Sequence, residues 1–322
     1  MTQLLSQLKS ALTPQQIHPG ITVAGLSIAL CSALTANATA AEFADFLFVV
    51  DESGSMNTEH RWLGDMIGSL EAGLQAKGVG LGTQSNRYGL VGFGSSTQGK
   101  LGRSLLMGNQ QFGSANQFST ATNSLITSGK DEDGYAAIDF GFSNYNFRKN
   151  AAVNIVLVTD EDRDVLKPSH SFNSILNQLQ GYNALLNVVV NASSKDNAGN
   201  SLVGMDGHGN GFIADGSGGY TTIVHPTAML PNVKAFESTV ADYTNLAWAT
   251  GNDTVRGATW DLNLLRAGGL DAQSFTQAFV DIKATEAYRQ KPNKETVPEP
   301  TSTLLISGLV LGLGKKIKAR MR

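Results

Sequence analysis

The chain has 322 residues, 41% of them hydrophobic and 16% charged, with 35 glycines. That suffices for one large α/β domain plus terminal signals, and it excludes a disordered chain while asking for long loops. The formal charge is −3; without the terminal Lys9, Lys315, Lys316, Lys318, Arg320 and Arg322 the balance is −9, 18 basic residues against 27 acidic. An acidic body with no basic stripe speaks against nucleic acid as a partner and makes cations the natural ligand.

Residues 21–34 (ITVAGLSIALCSAL) form an uncharged apolar run. It is followed by Ala36-Asn37-Ala38 and Ala38-Thr39-Ala40, both of which fit the small-x-small cleavage pattern of a secretory signal. Residues 1–40 are therefore expected to be a signal peptide and the body an exported protein, with an uncleaved anchor as the alternative. Cys31, the single cysteine, lies in this run, so the mature protein is expected to hold no thiol and no disulfide. Leu30 directly before it argues against lipid attachment.

Phe46–Val50 (FLFVV) reads as a buried parallel strand that delivers Asp51 to a loop at its carboxyl end. Over 58–77 the apolar residues Leu63, Met66, Ile67, Leu70 and Leu74 have the 3/4 spacing of an amphipathic helix, which Gly78 ends. Tyr88–Phe93 is a second strand, Ala115–Leu125 and Ala136–Phe147 are helices, and Val153–Thr159 is a third buried strand ending at Asp160. The pattern then predicts a helix over 172–179, a strand over 184–190, a helix over 236–249, a short strand over 259–264 and a closing helix over 272–287. Such alternation implies a doubly wound, mostly parallel α/β sheet flanked by helices, with ligands bound outside the carboxyl ends of its strands. The Gly/Asp/Asn-rich stretch over about 193–220 exceeds the usual length of a simple loop and reads as an insertion, a small subdomain or flap. The body is thus expected to span 41–290.

Beyond it come Val297-Pro298-Glu299-Pro300 in a linker (291–300), then an apolar run over 303–314 and the basic end Lys315-Lys316-Ile317-Lys318-Ala319-Arg320. About 12 apolar residues fall short of the ~20 that a membrane helix needs, and the basic end favours the cytoplasmic side. This tail, 301–322, resembles the PEP-CTERM sorting signal of Gram-negative bacteria, carried by Pro298, Glu299 and Pro300. The resemblance implies transient inner-membrane contact, removal by an exosortase-type peptidase, and delivery to the cell surface or extracellular matrix. An ordinary single-span anchor is the alternative.

Asp51-Glu52-Ser53-Gly54-Ser55 has the Asp-x-Ser-x-Ser pattern directly after a strand, and Asp160 ends another strand within Val158-Thr159-Asp160. A hard dication such as Mg²⁺ takes oxygen ligands, and hydroxyls at alternate positions of a tight turn can point the same way. The arrangement resembles the metal-ion-dependent adhesion site of von Willebrand factor type A (vWA) domains, matched at Asp51, Ser53, Ser55 and Asp160 over roughly 44–290. The resemblance implies a Mg²⁺ site (Mn²⁺ or Ca²⁺ in its place), with the serines on the metal and the acids often acting through water. A vacant position would accept a carboxylate from a protein or extracellular-matrix ligand, so binding rather than turnover is implied. That family's third loop carries a threonine before a Gly-x-Ala-Leu helix start; here Gly129–Ile138 has none. Counting back from Gly134 puts Asp131 in its place, while Glu132 or Asp133 reaches it with a shift of one or two residues. An anionic ligand there would hold the cation more tightly and weaken its pull on an incoming carboxylate.

Asp206-Gly207-His208-Gly209-Asn210-Gly211 has oxygen donors at alternate positions but lacks the terminal Glu of a twelve-residue calcium loop, so calcium stands beside the simpler reading of a turn cluster. His60, His170, His208 and His225 are scattered without zinc spacing, and Ser53 lacks the Gly-x-Ser-x-Gly context of a hydrolase nucleophile. The expectation is a metal-dependent binding protein and not an enzyme, with a structural surface protein and a metal-assisted hydrolase as rivals.

Overall fold

The structure is a computed structural model, which describes residues 41–224, 233–235 and 237–290. The expected signal peptide with Cys31, His225, the 291–300 linker with Pro298, Glu299 and Pro300, and the 301–322 tail lie outside the described residues. Among those described, no helix is long and apolar enough to cross a membrane.

Strand β1 (Ala44–Asp51) shows why the sheet is wound on both faces. Its side chains alternate: Phe46, Phe48 and Val50 join one apolar cluster, Leu47 and Val49 the other. The first cluster is filled by α1 (Asn57–Ala76), α2 (Ala115–Thr122) and α7 (Gly269–Arg289); the second by α3 (Gly134–Asn144), α4 (Phe172–Gly181) and α5 (Asn245–Ala249). Helix α1 buries Leu63, Met66, Ile67, Leu70 and Leu74, the stripe legible in the sequence.

The remaining sheet strands are β2 (Arg87–Phe93), β3 (Arg103–Leu105), β4 (Phe112–Gly113), β5 (Ala152–Val158), β6 (Leu185–Val190), β8 (Leu202–Asp206), β9 (Asn210–Ala214), β10 (Tyr220–Val224) and β12 (Ala258–Asp261). Their order is β10-β9-β8-β12-β6-β5-β1-β2-β3, with β4 also on β2. The five central strands run parallel; those outside them run antiparallel. Chain order reverses direction at β1, since β2 lies on one side of it and β5 on the other. This is the topological switch point, where adjacent loops diverge and leave a crevice.

Three expected elements differ. The helix expected over 236–249 is present from its middle onward, as a π-helical turn Val240–Thr244 leading into α5, and a short strand β11 (Val233–Ala235) on β7 (Ala192–Ser194) precedes it. The strand expected over 259–264 stops at Asp261, whose carboxylate accepts from the Asn263 N–H at 3.0 Å and caps α6 (Leu262–Ala267). The insertion is not a flap: β8, β9 and β10 extend the main sheet, with Leu202, Val203, Met205 and Phe212 buried and the Phe212 ring stacked on Trp260 at 5.5 Å. The Asp206 loop is the β8–β9 turn. Asp206 Oδ1 accepts from the His208 and Asn210 backbone N–H groups and Oδ2 from the Asn210 amide, so its oxygens close the turn.

Candidate metal centre

Asp51 ends β1 and Asp160 follows β5, so the parallel register brings both acids to the carboxyl edge at the switch point. Asp51 is fully buried. Its Oδ1 accepts from the Ser53 N–H at 2.7 Å and its Oδ2 from the Thr159 hydroxyl at 2.8 Å. This turn brings the Ser53 and Ser55 hydroxyls to 3.2 Å of each other, as alternate positions of a tight turn allow. His60 Nε2 donates to the Asp51 carbonyl at 2.7 Å and pins the loop to the first turn of α1.

The loop after β2 closes on Asp51 at Gly94, which has φ +80°. A Cβ there would stand 3.2 Å from Asp51 Oδ1 and 3.4 Å from Glu132 Cγ, so a side chain would press on both acids, and only glycine holds this backbone at no steric cost. Gly129 bridges to both Ser53 and Ser95, tying the third loop to the first two.

The three acids of the third loop take three different roles. Asp131, the expected counterpart of the threonine, is partly exposed and pairs with Lys100 at 2.7 Å. Asp133 caps α3 and is held by Arg163 Nε at 2.7 Å and by the Leu166 and Lys167 N–H groups. Glu132 is 1% exposed, and neither of its carboxylate oxygens has a hydrogen-bond partner among the described residues. Asp160 Oδ1 is likewise buried and without a partner, while Oδ2 accepts from Arg266 Nη2 at 2.8 Å.

Five of the neighbouring acids are paired: Glu52 with Arg103, Asp131 with Lys100, Asp133 with Arg163, and Asp160 and Glu59 with a shared Arg266. Asp51 and Glu132 have no such partner among the described residues. Burial first, then the Asp160 charge against the hydrogen bonds of Ser53 and Thr159, pushes Asp51 up to about 7. Burial, with Asp51 the largest charged contributor, pushes Glu132 up to about 8.

Among the described residues no three His, Cys, Asp or Glu side chains converge on a ready-made metal cage. The donor set fits a hard cation all the same, because it is oxygen throughout and includes the two hydroxyls of Ser53 and Ser55. The orphaned oxygens of Glu132 and Asp160 are the observation that asks for a positive charge here. Sequence reasoning missed Arg266, which lies 106 residues from Asp160 and carries no local signal. Thr159 and His60 serve Asp51 through hydrogen bonds that no spacing rule reveals.

Fold and site together define a class: a doubly wound α/β domain with an acidic, hydroxyl-bearing cleft at the carboxyl edge of its central strands. No family model matches the chain, and no curated protein does. Among solved structures it is similar to a von Willebrand factor type A protein from Catenulispora acidiphila, at 14% identity and TM-score 0.33, over 46% of this chain and 33% of that one. It is also similar to the manganese-loaded TRAP protein of Plasmodium vivax, at 21% identity and TM-score 0.32, over 47% of this chain and 58% of that one. The pilus adhesin SpaC of Lactobacillus rhamnosus GG is similar at 12% identity and TM-score 0.42, over 78% of this chain and 31% of that one. The chain spans less than two thirds of each.

Proposed function

We propose that this chain is an exported vWA-type binding protein that captures a protein or extracellular-matrix ligand through a divalent cation, Mg²⁺ or in its place Mn²⁺ or Ca²⁺. The observation that carries the reading is the pair Asp51 and Glu132: two buried acids at the switch point with no cation among the described residues to neutralise them. Asp51, Ser53, Ser55 and Asp160 would hold the ion, and the buried Glu132 takes over the third-loop role in preference to the Lys100-bound Asp131. A bound dication would supply a Lewis-acidic position for a partner's oxygen. The same residues favour binding over turnover: Ser53 Oγ meets Ser55 Oγ, and His60 turns its Nε2 to a backbone carbonyl, so His60 serves neither serine as a base.

Export and sorting belong to the same proposal. Gln290, the last described residue, donates to the Val153 and Asn183 carbonyls at the amino end of β5, while Asp160 lies beyond its carboxyl end. The described chain therefore ends about 20 Å of strand away from the cleft.

Calorimetric titration with Mg²⁺, Mn²⁺ and Ca²⁺ tests the site. Saturable uptake that disappears in the S53A/S55A double variant is the expected result. No uptake by the unaltered chain would sink the reading and leave a structural role.

A further inference from the structure

Around the cleft, one cation of the chain touches a proposed metal ligand directly. Arg266, in the last turn of α6, donates from Nη2 to Asp160 Oδ2 at 2.8 Å and from Nε to Glu59 Oε1 at 2.6 Å. Its Nη2 also lies 3.3 Å from the Ser55 carbonyl oxygen. Glu59 is fully buried in the first turn of α1, and its Oε2 has no partner. One guanidinium with a side chain 30% exposed thus ties α6 to α1, to the Ser53–Ser55 loop and to the residue that follows β5.

This contact divides Asp160. Oδ2 is held by the guanidinium, while Oδ1 is buried and unpartnered on the side left for a cation. We propose that Arg266 is a resident counter-cation that competes with the divalent ion for Asp160, an inference that rests on the metal reading above. Without the ion, the guanidinium supplies the charge that keeps Asp160 and buried Glu59 tolerable at the edge of the cleft. With the ion bound, two positive centres share one carboxylate, and their repulsion loosens the ion. The site then folds metal-free and exchanges its ion readily, even with Glu132 adding negative charge nearby.

A role limited to orienting Asp160 predicts the opposite sign. If Arg266 merely held that carboxylate in place, its loss would misplace a ligand and weaken the metal. If Arg266 competes, its loss frees Asp160 Oδ2 and deepens the local negative potential, so the metal binds more tightly.

The test is calorimetric titration of the full chain with Mn²⁺ at pH 7 and low salt, comparing wild type, R266K and the double variant E59Q/R266Q. Neutralising Glu59 in the double variant removes the buried charge that loss of Arg266 alone would strand and leaves the local charge sum unchanged, so a gain in affinity there reads the freed Asp160 Oδ2. The expected result is a Kd lower by about tenfold or more in the double variant, with R266K between the two. R266Q alone should also melt at a lower temperature than wild type without metal. A double variant that binds Mn²⁺ equally well or less tightly overturns the proposal, the weaker case assigning Arg266 to orientation instead. Absence of Mn²⁺ uptake in wild type and variants alike overturns the metal reading itself, and this inference with it.

Discussion

Asp45 and Asp51 stand near the two ends of the same strand, and both are fully buried. At the amino end the chain surrounds Asp45 with two guanidiniums, each donating from Nε and Nη2, and the Arg148 backbone N–H adds a fifth donor. At the carboxyl end Asp51 receives only the uncharged Ser53 N–H and Thr159 hydroxyl. The same contrast recurs with glutamate. Buried Glu286 has Lys283 at 2.7 Å and the Asn187 amide at 3.0 Å, whereas buried Glu132 has nothing. A buried charge matched by the chain is structural, and one left unmatched at a crevice marks where something else must supply the charge.

The largest effect should separate the two aspartates. D45N strands two arginines that converge on one buried acceptor, and is expected to lower unfolding stability by about 3 kcal/mol in a urea titration. D51N removes a buried charge that has no counterion, so metal-free stability should hold or rise while Mn²⁺ uptake is lost. Equal losses in both variants would break the comparison. Next in size, Mn²⁺ at a hundredfold over its Kd should stabilise the wild type by about 2.7 kcal/mol and D51N not at all.

Third, the metal-free protein should weaken as pH rises. Asp51 ordinarily titrates near 3.8 and is held at about 7; Glu132 ordinarily titrates near 4.5 and is held at about 8. Both folded values are raised, so the folded state keeps protons that the unfolded chain has lost. Their contribution is therefore fully present below about pH 4 and is lost as pH rises through 7 and 8. Urea titrations should show stability falling from pH 5 to pH 8, and D51N/E132Q should flatten that slope. Mn²⁺ affinity should rise over the same interval, with protons released on uptake.

The architecture was legible because it rests on local periodicity. FLFVV and VNIVLVT can only be strands buried on both faces, and each hands its terminal acid to the same edge. The β8–β10 extension was not legible: its strands are five residues each and separated by Asp-started turns, so turn residues outweigh the short apolar alternation of Leu202 to Met205. The π-helical turn at Val240–Thr244 has no sequence period to read. Of the site, Asp51, Ser53, Ser55 and Asp160 were readable as a motif. Arg266 and the choice among three adjacent acids were not, since both depend on which distant cation reaches which carboxylate.

That choice yields the smallest and most discriminating effect. Asp131 and Glu132 are neighbours in sequence, but Lys100 holds the first at the surface and lowers its pKa, while the second is buried beside Asp51. D131N should leave both stability and Mn²⁺ affinity unchanged within error. E132Q should match the wild type below about pH 4, where folded and unfolded carboxyls both carry the proton, and gain on it as pH rises to 9, because the unfolded carboxyl loses its proton near 4.5 while the buried one keeps it up to about 8. The same variant should weaken Mn²⁺ by roughly tenfold, because the site loses one of its anionic oxygens. If D131N weakened Mn²⁺ instead and E132Q did not, the Lys100 pair would have to open on metal binding, and Asp131 would regain the threonine's place.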